Sequence, residues 1–132
     1  MLPILINDVP VVCINQVSHY YHLDARLLVS ILAKEGGKVG ASTKNKNGTV
    51  DLGPMQINSS WLPYLAKYGY SRNDVQFNPC INFKIGAWIL AKSLANGKTA
   101  WQGVGYYNSH TSKLNKIYYK SVQKFYFKIK NL

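Results

Sequence analysis

The chain has 132 residues, 47% of them hydrophobic, which is enough for one domain around one core and excludes a disordered chain. No apolar run approaches the ~20 residues that span a bilayer, so a membrane-spanning helix is excluded as well. Lys and Arg together number 16, only Arg26 and Arg72 being Arg, and the formal net charge is +11; this suits a polyanionic partner such as nucleic acid, anionic lipid or an acidic wall polymer. The shortage of Arg counts against base readout, which relies on bidentate Arg forks, so nucleic acid is not the expected partner.

The first thirteen residues, Met1 to Cys13, lack a basic start, and Asn7-Asp8 interrupts their apolar stretch. They do not read as a signal peptide, so the chain either stays inside the cell or has lost an export signal. A first helix is expected over about Val12 to Tyr21. Asp24 then reads as the N-cap of a helix over Ala25 to Glu35, with Leu27, Leu28, Ile31 and Leu32 as its buried stripe and Gly36-Gly37 as its stop. Glu35 is the only glutamate of the chain. At ~100° per residue it falls within ~40° of Ile31 and ~20° of Leu28. Two readings follow: a terminal glutamate that bends out to water, or an acid held against apolar neighbours, which keeps its proton and can act as a general acid.

Lys38 to Val50 is loop material, and Asn47-Gly48 is a tight-turn signal that can join two short strands. Asn58 or Ser59 is expected to cap a helix running to Tyr68, with Gly69 as its stop. Asn78-Pro79 opens the strongest helical pattern, about Pro79 to Ala95, with Ile81, Ile85, Trp88 and Ile89 on one side. Shorter patterns cover Ala100 to Tyr107 and Ser112 to Lys128, the last with Lys113, Lys116, Lys120 and Lys124 along one face. The expected fold is mainly α (α+β): a single domain over residues 1–132 with one small β-hairpin beside a cleft. Cys13 and Cys80, if bridged, would close a loop worth ~4 kcal/mol in the chain-entropy model; two buried thiols fit the sequence equally. His19 and His22 stand three apart without a third ligand, so no metal site is expected, and the polarity of the candidate site suggests no cofactor.

Sixteen residues after Glu35 comes Asp51, inside a stretch running from Asn45 through Asn58 that is rich in Asn, Gln and Thr. A helix-borne acid beside aliphatics, followed by a second carboxylate among amides, is the pairing that glycosidic cleavage uses: one carboxyl protonated, the other ionised. Neutral amides also suit sugar hydroxyls and N-acetyl groups.

These residues resemble the lysozyme-like superfamily. They are most similar to the small specialised lytic transglycosylases of type IV secretion, conjugative pilus and type III secretion machines. The resemblance is carried by Leu23-Asp-Ala-Arg-Leu-Leu28, Glu35-Gly-Gly, Asn45-Lys-Asn-Gly-Thr-Val-Asp-Leu-Gly-Pro-Met-Gln-Ile-Asn-Ser-Ser-Trp61, Asn78-Pro-Cys-Ile-Asn82, Ile85-Gly-Ala-Trp-Ile-Leu90 and Gly105-Tyr-Tyr-Asn108. It implies a lysozyme-like domain that cuts peptidoglycan between N-acetylmuramic acid and N-acetylglucosamine, with Glu35 as the acid and 1,6-anhydromuramoyl products. It also implies a periplasmic or exported monomer that opens the wall for an envelope-spanning machine, with Cys13 and Cys80 bridged. Asp51 matches the second carboxylate of lysozymes, which leaves a hydrolytic muramidase as the alternative. Asn45, Met55, Gln56, Asn58, Tyr107 and Asn108 fall where the family lines its sugar cleft, and the Tyr107 hydroxyl is expected to orient the glutamate.

Four positions depart from the family pattern: Gly36 stands for Ser, Pro54 for Leu, and Ser109-His110 for Ala-Gly. Asp51 could instead stabilise the turn, Gln56 and Asn58 could instead fix the hairpin, and Tyr107 could be core packing. Among the tryptophans, Trp88 lies on a buried helical face, and Trp101 is the candidate for sugar stacking in the cleft. The basic C-terminal helix reads as a docking helix with a solvated lysine face. A non-catalytic cationic module for cell wall or nucleic acid is the alternative of another class.

Overall fold

The computed structural model describes residues 4–130. Among them, Leu5–Ile6 (β1) and Val9–Pro10 (β2) pair antiparallel, Ile6 opposite Val9, and lead straight into helix α1, Val11–Tyr21. Asn7 and Asp8, between the strands, take φ of 47° and 68°. Positive φ at both central residues is what a two-residue type I′ hairpin needs, and Asn and Asp tolerate it best after Gly. The pair that breaks the apolar run of the N-terminus is therefore a turn, a hairpin that the sequence reading does not contain.

Helix α2, Ala25–Glu35, begins at the Asp24 cap, whose carboxylate accepts from the Arg26 N–H at 2.9 Å. Of its predicted stripe, Leu28, Ile31 and Leu32 are wholly buried, whereas Leu27 is half-buried. After it, Ser42–Lys44 (β3), Val50–Leu52 (β4) and Ile57–Asn58 (β5) form an antiparallel sheet of three strands rather than a single hairpin. The Asn47-Gly48 turn joins β3 to β4, with Gly48 at φ 87°.

The helix expected up to Tyr68 is shorter. A 3₁₀ turn over Ser59–Trp61 precedes α3, Leu62–Ala66, whose end unwinds through turn bonds to Gly69. Helix α4, Arg72–Phe77, is absent from the sequence reading. It is held by a capping box in which the Ser71 side chain accepts from the Asp74 N–H while Asp74 accepts from Ser71. The long α5, Pro79–Asn96, runs through the middle, packed on α1, α4 and α6. Helices α6, Ala100–Tyr106, and α7, Ser112–Tyr126, close the far side, α7 lying on α2 and α6.

The molecule is thus mainly helical with a small sheet, and the core of Leu28, Ile31, Leu32, Phe83, Leu90, Val104 and Val122 sits between α2, α5, α6 and α7. A disulfide joins Cys13 on α1 to Cys80 on α5, with Cα atoms 5.7 Å apart. Of the α7 residues, Asn115, Tyr118 and Val122 are buried, while Lys113, Lys116, Lys120 and Lys124 face solvent, as expected of a docking helix.

Candidate active site

Glu35 is the last residue of α2, where the helix meets the sheet. Gly36 follows at φ 64° and caps the helix through its N–H to the Leu32 carbonyl at 3.0 Å. A side chain there would be strained, and glycine avoids that strain. Gly37 passes so close to the Gly53 carbonyl and the Gln56 amide that a Cβ would overlap both. The two glycines therefore let the helix end press against the turn between β4 and β5.

That turn is fixed from below by Asn82 of α5, which is wholly buried. Its Oδ1 accepts from the Met55 N–H at 2.8 Å, and its Nδ2 donates to the Leu52 carbonyl at 2.8 Å and the Val75 carbonyl at 2.9 Å. One side chain in this way ties β4, α4 and α5 together. Asn82 belongs to the quoted family stretch but carried no role in the sequence reading; a buried asparagine on an apolar helix face was its only signal.

Above the turn lies an open cleft of about 360 Å³ lined chiefly by polar groups. Of the residues expected there, Glu35, Asn45, Asp51, Gln56, Asn58, Tyr107 and Asn108 line it. Asp51 stands in a cross-strand row between Thr43 and Asn58, and its Oδ1 accepts from Asn58 Nδ2 at 3.1 Å. Asn58 Nδ2 also donates to the Thr49 hydroxyl at 3.0 Å, and Asn45 Nδ2 donates to that oxygen at 3.1 Å. Gln56, at φ 53°, donates to the Gly53 carbonyl at 3.0 Å. A second hollow, along Gly36 to Ala41 and Thr43, shares Glu35 and Gln56 with the first, so the acid stands between two open stretches of groove.

Three expected site residues have other surroundings. Met55 is wholly buried, its side chain packed against Gly86 of α5, and it meets the site only through its backbone carbonyl. That carbonyl accepts from the Tyr107 hydroxyl at 2.9 Å, so Tyr107 braces the turn rather than the glutamate. Trp101 lies outside the cleft, in the first turn of α6, packed on Tyr126, Phe127 and Tyr119 near the end of α7. The tryptophan in the cleft is Trp61, opposite Ile89 of α5. Trp88, expected in the core, is half-buried and meets the Trp61 ring edge-on at 5.5 Å.

The group that holds Glu35 is Tyr118 of α7, whose hydroxyl donates to Glu35 Oε2 at 2.5 Å. Its place on the inner stripe of α7, three residues after Asn115 and four before Val122, was legible as burial but not as a site. The Tyr107 and Tyr118 rings stack with centroids 6.3 Å apart, forming a wall behind the carboxyl. Burial against this wall and the α2 stripe is the largest influence on Glu35, raising its pKa to about 7. Asp51 pushes in the same direction, while the Tyr118 hydrogen bond and Lys34 pull it down. Burial, and then the nearby glutamate, drive both tyrosine pKa values up, so both remain neutral donors.

A carboxyl raised to about 7 and a second carboxyl lining the same amide-rich groove are the pairing that lysozyme-like, glycan-cleaving enzymes use. The match to known proteins narrows the class. The chain belongs to the transglycosylase SLT domain family, matched over residues 12–128, whose members are lytic transglycosylases acting on peptidoglycan. It is similar to invasion protein IagB of Salmonella typhimurium, 34% identical over 125 residues that cover 91% of this chain and 78% of that protein. It is also similar to protein IpgF of Shigella flexneri, 32% identical over 105 residues, 79% of this chain and 69% of that one. A third relative is a peptidoglycan-binding-like protein of Escherichia coli O157:H7, 32% identical over 105 residues, 74% of this chain and 63% of its own length.

Proposed function

We propose that this enzyme cuts the β-1,4 bond between N-acetylmuramic acid and N-acetylglucosamine without consuming water, and that it opens the wall for an envelope-spanning secretion or conjugation machine. The observation that carries the chemistry is the Glu35 carboxyl, raised to about 7 by burial and aimed by Tyr118 into the cleft.

Protonated Glu35 gives its proton to the glycosidic oxygen as the C1–O bond breaks, and N-acetylglucosamine leaves with a free hydroxyl. Positive charge grows on C1 and the ring oxygen. Glu35, now a carboxylate, takes the proton of the muramoyl 6-hydroxyl as that oxygen bonds to C1. The 1,6-anhydro ring closes and the acid is regenerated. A group with a pKa near the working pH serves both halves of this cycle, because neither transfer is steeply uphill. Tyr118, a neutral donor, stabilises the carboxylate midway through the cycle.

The disulfide suits an oxidising compartment, in accord with a periplasmic or exported enzyme. Similarity to a protein named for invasion, and resemblance to the transglycosylases of secretion machines, support the wall-opening role.

A hydrolytic muramidase is the second reading, favoured by Asp51, which lines the same cleft and is close enough to raise the Glu35 pKa. The product decides between them. Digestion of purified sacculi followed by mass spectrometry should give anhydromuramoyl ends, lighter by one water than the reducing ends of hydrolysis. Reducing ends alone would replace transglycosylation with the Asp51-assisted reaction.

A further inference from the structure

Beside the cleft, between α1, α3 and α5, lies a groove of about 440 Å³ whose walls include Tyr20, Tyr64, Tyr68, Lys84 and Trp88. We propose that this groove binds the same peptidoglycan strand beyond the cleft, its sugar rings on the tyrosine faces and its stem carboxylates on Lys84 and Lys92. The proposal rests on the reading of the cleft as a peptidoglycan-cutting site.

The first observation is continuity. Trp61 lines the catalytic cleft and meets Tyr64 at 6.4 Å and Trp88 at 5.5 Å between ring centroids. Tyr64 stacks on Trp88 at 5.4 Å and reaches Tyr68 at 5.2 Å. An unbroken run of rings therefore leads out of the cleft and over the surface.

The second is exposure. Tyr20 and Tyr68 are 69% and 65% exposed, although large rings are among the most valuable groups to bury. Contiguous exposed aromatic surface marks a binding face more often than a solvated one. Sugars present flat apolar faces between rims of hydroxyls, and tyrosine offers both a flat face and a hydroxyl.

The third is charge. Lys84, Trp88 and Lys92 follow one another at four-residue spacing along α5. Lys84 Nζ stands 5.5 Å from the Tyr20 ring and Lys92 Nζ 4.9 Å from the Trp88 ring. None of the five acids of the chain lies in the groove: Asp8 accepts from the Val39 N–H, Asp24 caps α2, Asp74 serves the α4 cap, and Glu35 and Asp51 sit in the cleft. Acid-free aromatic surface edged by two lysines complements a strand that alternates bare sugars with sugars carrying acidic stems.

The test measures retention on two probes, intact sacculi and chitin, a β-1,4 N-acetylglucosamine polymer with neither stems nor lactyl carboxylates, using Glu35→Gln as the non-cleaving background. Adding Tyr20→Ala and Tyr68→Ala should weaken binding to both probes about tenfold. Adding Lys84→Glu and Lys92→Glu should weaken binding to the stem-bearing probe only. All four side chains are exposed, and an unchanged melting temperature checks each variant's fold. Unchanged affinity in both sets overturns the groove, and equal losses on both probes for the lysine pair overturn the stem assignment. Failure of the wild-type enzyme to release any fragment from sacculi would instead overturn the reading of the cleft.

Discussion

At the scale of single residues, the site reduces to a carboxyl whose proton is held by its surroundings. Replacing Glu35 by Gln removes the acid without changing its shape, so release of soluble fragments from sacculi should fall by about 10³-fold while binding persists. A variant that cleared walls at the native rate would leave the cleft without its acid. The protonated form is the working form, so activity should fall as pH rises through about 7. Tyr118→Phe removes a hydrogen bond that favours the ionised form, so the alkaline limb of the kcat/KM profile should move to higher pH, with a lower maximum. An unmoved limb would show that the hydroxyl does not govern the acid.

The same burial has a thermodynamic sign. The folded-state pKa of Glu35 lies above its ordinary value of 4.5, so the folded protein binds more protons between about pH 4.5 and 7. Stability therefore falls as pH rises through that window, by about 3 kcal/mol in total. Glu35→Gln should abolish that slope and melt higher than wild type at pH 8, as differential scanning calorimetry can read. Glu35 was legible in the sequence because helical period and chemistry agree on it. Its partner was not, because a tyrosine 83 residues away reveals nothing of whom it faces until α7 is docked.

At the scale of elements, the turn between β4 and β5 is tied to α5 through Asn82. Asn82→Ala would strand the Met55 N–H and the Leu52 and Val75 carbonyls in the interior, at a cost of about 3 kcal/mol. A lowered urea midpoint together with a fall in kcat is expected, since the loss falls on the turn that supports the cleft. The long elements α1, α2, α5, α6 and α7 were legible because each has several apolar residues in helical register. The short ones were not: α4 buries little beyond Val75, and β1 and β2 are two residues each. Their signals were local, a Ser71–Asp74 capping box and an Asn7-Asp8 turn. The misplaced tryptophan has a similar cause, since Trp61 and Trp101 differ not in local pattern but in which neighbours the fold brings to them.

At the scale of the molecule, the Cys13–Cys80 bridge closes a loop with a sequence separation of 67, which the chain-entropy model values at about 4 kcal/mol. Thermal melts with and without reductant should differ accordingly, and coincident melts would show that the bridge adds nothing to stability. The net charge of +11 calls for a second measurement: retention of Glu35→Gln on sacculi should weaken steadily as salt is raised.

The contact between Tyr118 and Glu35 also sets an order of events in the life of the chain. The acid is made early and its hydroxyl partner late, so a chain clipped before the last helix keeps the glutamate and loses the hydrogen bond that holds it. Activity should therefore need the last helix docked as well as present.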